Sequence, residues 1–375
     1  MKVLVAIDSF KSSLTSQTAN QIVADTFGTF GHAVETFAIS DGGEGFVSAY
    51  LANDVYQSEY IEVDTFTSYG KPMKAGYIYF KEEKKAIVEI ALASGIQFNE
   101  EKNLHPNDLS SYGTGLVVKA AMENGAKKII IGLGGTGTVD GGMGLLRALG
   151  VTFYNSADQE LSGTGKDLGQ VRYLDFENIH PFVAEVEFIA AADVVSKLTG
   201  PDGAVKVFGK QKGILAEELD EYEQRMKQYL KAVSGTNVSH SGDGAAGGVG
   251  FAIRHGLNGK IVNGFTQLSS DFKLEDQIKK VDLVITGEGQ IDEQSLLGKV
   301  PVSISRIAQK YEIPVIAFVG SEKGNLERAT EEGLSVIVPI VDRVSTLKEA
   351  LENADGNLER AATRVAKLVG IIPTK

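Results

Sequence analysis

The stretch 127–150, KKIIIGLGGTGTVDGGMGLLRALG, restricts what the chain can fold into more than any other. Ile129, Ile130 and Ile131 make the short β-branched run of a fully buried strand, and Leu145, Leu146, Ala148 and Leu149 then continue as a helix. Between them lie Gly132, Gly134, Gly135, Gly137, Gly141, Gly142 and Gly144. Positions without a Cβ let backbone amides come close to a ligand, and a helix start adds unpaired N–H groups and a positive dipole end. A strand, a glycine loop and a helix in this order suit phosphate binding. The alternative is a turn that only reverses the chain, and Asp140 inside the loop argues against it.

At 375 residues the chain exceeds what one core usually supports, which predicts two domains. A net charge of −12 argues against a nucleic-acid or anionic-membrane partner, since both need a basic footprint. The absence of cysteine removes disulfides, thiolate catalysis and sulfur-ligated zinc together. The first apolar run is cut off by Asp8, too soon for a signal peptide, and no run reaches the roughly 18 apolar residues of a membrane span. A cytoplasmic soluble protein is expected.

Both ends of the chain have βαβ texture. Lys2 to Ile7 reads as a buried strand, Ala19, Ile22, Val23 and Phe27 as a helix face, and Ala33 to Ile39 as a second strand running into SDGGEG. The texture returns at VDLVITGEG, with Pro301 in a first helical turn, two further strands in PVIAFVG and LSVIVPIV, and a closing helix from about Asn357 to Val369. From about Tyr60 the chain changes to a meander of longer strands with a turn at Gly70 to Pro72. Further on, Leu215, Leu219, Tyr222, Met226, Leu230 and Val233 mark a long amphipathic helix whose stripe reads as core. The fold class is α/β. Residues 1–65 and 275–375 form one parallel-sheet domain, and 66–274 form an inserted mixed α/β domain that carries the glycine loop.

Loops that place acids or lysines beside glycines recur along the chain: DSFK (Asp8, Lys11), SDGGEG (Asp41, Glu44), SSYGTG (Thr114), GLGGTGTVDGG (Asp140), AADV (Asp193), GDGAAGG (Asp243) and TGEGQIDEQSLLGK (Glu288, Asp292, Lys299). Acids just beyond strands, with amides beside them, suit a Mg²⁺–nucleotide: carboxylates for the hard cation, amides and lysines for phosphate oxygens. Asp41, Asp243 and Asp292 also fit helix caps or Asx-turns, and Lys11 and Lys299 also fit solvated surface lysines. None of the 5 histidines has metal-ligand spacing. The main competitor is a dinucleotide-dependent oxidoreductase, because Gly132, Gly134 and Gly137 satisfy G-x-G-x-x-G and Asp158 stands near the ribose position. It leaves the acidic loops near 41–45 and 286–299 without a purpose. A non-catalytic nucleotide-binding protein would need fewer polar loops, and a P-loop kinase is excluded because G-x-x-x-x-G-K-[ST] does not occur.

Together these loops, in order along nearly the whole chain, resemble the type I glycerate kinases, which phosphorylate D-glycerate with ATP. The motifs that carry the resemblance are IDSFKSSLTS, SDGGEG, SSYGTG, IIIGLGGTGTVDGGMG, AADVVSKLTGPDGAVKVFGKQKG, GDGAAGGVG and TGEGQIDEQSLLGKVP. The chain departs from the family at Thr136 to Val139, where Ser-Ala-Thr-Asn is usual, and at Ile7, Ser12 and Gln290, where Pro, Gly and Arg are usual. The resemblance implies a flavodoxin-like domain built from both chain ends, with ATP and Mg²⁺ as cofactors and 2-phospho-D-glycerate as product, the 3-phosphate being the alternative. Asp193 is then expected to orient or deprotonate glycerate, with Asp140 the alternative and Lys11 as a further catalytic group. Asp8, Ser9, Lys11, Asp41, Glu44 and Lys299 are expected at the substrate. Gly132, Gly134, Gly135, Thr136, Gly137, Gly141, Gly142 and Thr114 are expected at the nucleotide, and Glu288 and Asp292 at the metal. Asp140 and Asp193 are both expected to face a partly desolvated cleft from the inserted domain.

Overall fold

The computed structural model describes residues 1–10, 12–54, 58–100, 104–193, 196–293, 295 and 298–371. It divides into two compact units: Met1–Asp41 with Ser48–Asp54 and Phe265–Lys375, and Gly42–Val47 with Val55–Gly264.

The first unit is a five-stranded sheet of β1 (Lys2–Ile7), β2 (Ala33–Thr36), β11 (Leu283–Ile291), β12 (Val315–Glu322) and β13 (Val336–Pro339). Its order is β13-β12-β11-β1-β2, and every neighbouring pair is parallel. Val3 pairs with Leu283 and Ile7 with Gly287, so the two ends of the chain share one sheet, as the apolar runs predict. Burial on both faces explains why β1 is apolar without alternation. Val3, Val5 and Ile7 pack on Ala19, Val23 and Phe27 of the helix Ser16–Thr29 and on Leu358, Ala362 and Val365 of the helix Ala354–Ile371. Thr15 caps the first of these helices by accepting from the Thr18 amide. Pro301 lies in the first turn of Val300–Gln309, where its missing N–H costs nothing. The second apolar segment differs from expectation: β2 stops at Thr36 and is largely exposed because it is a sheet edge, while Phe37, Ala38 and Ile39 leave the ladder and bury.

The second unit holds β3 (Glu59–Phe66), β4 (Pro72–Phe80), β5 (Lys85–Glu89), β6 (Lys128–Gly132), β9 (Glu187–Ala191) and β10 (Lys260–Val262) in the order β10-β9-β6-β5-β4-β3. The β3-β4-β5 meander is antiparallel and the rest is parallel, so the sheet is mixed. A separate hairpin pairs β7 (Thr152–Tyr154) with β8 (Tyr173–Asp175). The amphipathic helix is Leu219–Ser234. It buries Leu219, Tyr222, Met226, Tyr229 and Leu230, whereas Leu215 precedes it and is exposed. The chain passes between the units after Asp41, Val47, Asp54 and Gly264; the join at 54 precedes the expected 65 because β3 hydrogen-bonds along its whole length to β4. Among the described residues, no helix is long and apolar enough to cross a membrane.

Candidate functional site

In the first unit the chain runs from β1 to β2 on one side and then to β11 on the other, so the order reverses between β1 and β11. In doubly wound sheets ligands bind outside the carboxyl ends of the strands at such a reversal. Asp8 follows β1 there, with its amide donating to the Gly287 carbonyl at 3.0 Å and its carboxylate accepting from the Ser9 amide at 2.7 Å. Buried Asn20 fixes this turn: its Oδ1 accepts from the Ile7 amide at 2.8 Å and its Nδ2 donates to the Phe37 carbonyl at 2.9 Å. Ser16 Oγ also donates to the Ile7 carbonyl and accepts from the Ile39 amide, which ties the loop of Asp8 to the segment leading to half-buried Asp41.

On β11, Glu288 follows the residue paired with Ile7. Lys299 Nζ lies 4.0 Å from a Glu288 oxygen and 3.7 Å from an Asp292 oxygen, so two carboxylates converge on one ammonium. Burial alone would raise the Asp292 pKa, but hydrogen bonds from Ser295 and Gln290 and the Lys299 charge outweigh it and hold the carboxyl below its usual range. Asp292 is therefore both the Asx-turn that its sequence allows and an anion facing a cation. Lys11 lies outside the described residues. Among those described, no group of three or more His, Asp or Glu side chains forms a metal cage.

In the second unit β6 and β9 are parallel neighbours, with Gly132 opposite Ala191, and Asp193 stands exposed two residues past β9. Gly42 and Gly43 lie across these strand ends: the Gly134 amide donates to the Gly42 carbonyl at 2.9 Å, and a Cβ on Gly134 would sit 2.2 Å from Gly43 Cα. Of the loop's glycines only Gly135 is exposed, with Glu44, itself exposed, beside it. Among the described residues the amides of Gly135 and Thr136 donate to no protein acceptor.

The rest of the loop corrects the expectation of amides open to a ligand. A Cβ on Gly132 would meet the Phe46 ring, one on Gly137 the Asn99 amide, one on Gly141 the Tyr229 ring and one on Gly142 the Ala252 methyl. These glycines admit the protein's own atoms. Thr114 and Thr136 are buried, and their hydroxyls bond to the Ser94 side chain and carbonyl. Asp140 is fully buried and faces no open surface. Its Oδ2 accepts from the Ser111 amide and hydroxyl, both at 2.7 Å, and from the Gly144 amide at 3.2 Å, while Oδ1 accepts from the Gly142 amide at 3.0 Å. Burial pushes its pKa up against the pull of these donors. Asp140 holds the loop and the start of the helix Met143–Ala148, so its oxygens are not available to a substrate here.

Two charged residues escape the sequence reading. Glu89 ends β5 buried and accepts from the Gly45 and Val47 amides at 3.0 Å, which anchors SDGGEG from below; burial raises its pKa. Its signal is an acid interrupting the apolar run AIVEIALA. Lys212 is buried and donates to the Thr138 carbonyl at 3.1 Å. Nothing in GKQKG distinguishes it from its neighbour Lys210, which is exposed. Asp243, buried as well, accepts from Arg254 Nε at 2.7 Å and from the His240 amide at 2.6 Å, a structural pairing.

Comparison with known proteins covers the full length. A model described as the glycerate kinase family matches residues 3–370. A glycerate kinase of Bacillus cereus is 35% identical over 381 residues, covering 100% of both chains. A glycerate 2-kinase of Escherichia coli is 32% identical, covering 99% of this chain and 98% of that one. A crystal structure of a protein described as a glycerate kinase 2, from Salmonella typhimurium LT2, is similar with a TM-score of 0.82 at 30% identity and covers 98% of both chains.

Proposed function

Because the chain belongs to the glycerate kinase family, we propose that it transfers the γ-phosphoryl group of Mg²⁺–ATP to D-glycerate, with the 2-hydroxyl as acceptor. The observation that carries this reading is the convergence of Glu288 and Asp292 on Lys299 beside the strand-order reversal. Two carboxylates aimed at one cation fit Mg²⁺, which is usually held by one or two carboxylates together with waters and phosphate oxygens. Held there, the ion would offset charge on the transferring phosphoryl group.

The protein's own groups then position the reactants, which is most of what phosphoryl transfer asks of an enzyme. Lys299 binds an anionic oxygen of nucleotide or substrate. Asp193 orients or deprotonates the accepting hydroxyl, and Lys11 neutralises the glycerate carboxylate. Asp8, Ser9, Asp41 and Glu44 bind substrate, and the amides of Gly135 and Thr136 receive phosphate oxygens. The parallel unit is read as flavodoxin-like on its strand order, which counted within the unit is 2-1-3-4-5. Support for the 2-hydroxyl comes from the Escherichia coli relative, which is named a glycerate 2-kinase.

A coupled ADP-release assay across D-glycerate, hydroxypyruvate and related hydroxy acids tests the reading. Release with D-glycerate is expected. No release, together with reduction of NAD by any of these acids, would return the case to the oxidoreductase. ³¹P NMR of the product decides the hydroxyl, and a 3-phosphoglycerate signal would overturn the 2-phosphate.

A further inference from the structure

Of the two buried lysines among the described residues, Lys85 pairs with Glu83, and the chemistry above leaves Lys212 unused. Lys212 closes the short turn Lys210–Lys212, after which Gly213, at φ 98°, lets the chain reverse. Lys210 and Gln211 are exposed, but Lys212 turns inward and is only 6% exposed. Its ammonium carries three donors. Among the described residues it uses them on the Thr138 carbonyl alone. Burial lowers its pKa to about 7, against the opposing attraction of the Asp140 charge. A buried ammonium with one acceptor opposes folding more than it supports it. The neighbouring carbonyl of Gly141 is held without any charge by the Tyr229 hydroxyl at 3.0 Å. A neutral donor therefore suffices to tie down this loop, and a lysine at Thr138 calls for another reason.

Resting on the kinase reading, we propose that Lys212 is a positioning residue for phosphoryl transfer: by holding the Thr138 carbonyl beside the Asp140 carboxylate it fixes the loop whose tip is Gly135 and Thr136. It serves turnover and not stability. Lys212→Met keeps the apolar stem and removes donor and charge, and Lys212→Gln keeps a donor for Thr138.

The Met variant should lose kcat about tenfold or more, with KM for D-glycerate shifting less than about threefold, the pattern of lost positioning. Its thermal unfolding midpoint should not fall below that of the wild type, and Lys212→Gln should recover part of kcat. Wild-type kcat in the Met variant, or a lowered midpoint in both variants, overturns the proposal. Hydrogen exchange of amides 133–144 needs no substrate. It should quicken in the Met variant, and unchanged exchange also overturns the proposal. A wild-type protein that does not phosphorylate D-glycerate defeats the kinase reading instead, and exchange alone then decides whether Lys212 holds the loop.

Discussion

The loop 132–144 and the loop 288–299 carry similar motifs, acids beside glycines after a strand, but they are built in opposite ways. The first has most of the glycine and is nearly all interior. Its glycines admit Phe46, Asn99, Tyr229 and Ala252, and its acid is consumed by four backbone and hydroxyl donors. The second has less glycine, and its acids face an ammonium that is partly open to solvent. Glycine density thus measures how closely backbone packs on its surroundings. Ligand chemistry is better marked by carboxylates that converge on an ammonium still partly open to solvent.

Four substitutions sharpen or break this contrast. The largest effect is expected from Asp140→Ala, which strands the Ser111, Gly142 and Gly144 donors in the interior. Stability should fall by about 3–5 kcal/mol in denaturant unfolding, given the cost of several unsatisfied buried groups. A variant as stable as the wild type but without turnover would make Asp140 catalytic after all. Next, Asp193→Asn at an exposed strand end should leave stability and ATP affinity nearly unchanged and lower kcat by about 10², the scale of a positioned base. Wild-type turnover would remove Asp193 from the mechanism.

If Glu288 holds Mg²⁺ as proposed, Glu288→Gln should raise the Mg²⁺ concentration needed for half-maximal rate by about tenfold. An unchanged Mg²⁺ titration would take the metal away from this loop. The smallest effect concerns pH. Because the folded state holds the Asp292 carboxyl below its usual 3.8, the ionised group contributes stability above that pH and loses the contribution as pH falls below it. Wild type should therefore exceed Asp292→Asn at pH 6 by less than about 1 kcal/mol, solvent screening being strong at this partly open position, and the gap should close in acid. A gap that persists at low pH would mean that Asp292 acts through its Asx-turn and not through its charge.

The sheets were legible because buried strands need unbroken apolar runs: Val3 to Ile7, Ile129 to Ile131 and Leu283 to Ile285 are all fully or nearly fully buried. The join near 54 was not. Glu59, Glu62 and Asp64 make β3 look like a polar connection, and its membership in the second sheet depends on distant pairing with β4. In the site, residue types and loop positions could be read, but side-chain direction could not. Asp140 and Asp193 look equivalent in sequence, yet one is interior and the other exposed. Glu89 and Lys212 stayed hidden because burial of a charge depends on what packs over it, and that comes from other parts of the chain.

The parallel sheet built from both ends has a consequence for synthesis. The Lys2 amide donates to Asp282, 280 residues further on, at the start of the β1–β11 pairing. At translation speeds of roughly 5–20 residues per second, β1 leaves the ribosome some 14–56 s before the strand it must lie against. All strands of the second unit emerge in that interval. For that time β1 is an apolar ribbon with one edge unpaired, a natural client for a chaperone that binds nascent chains.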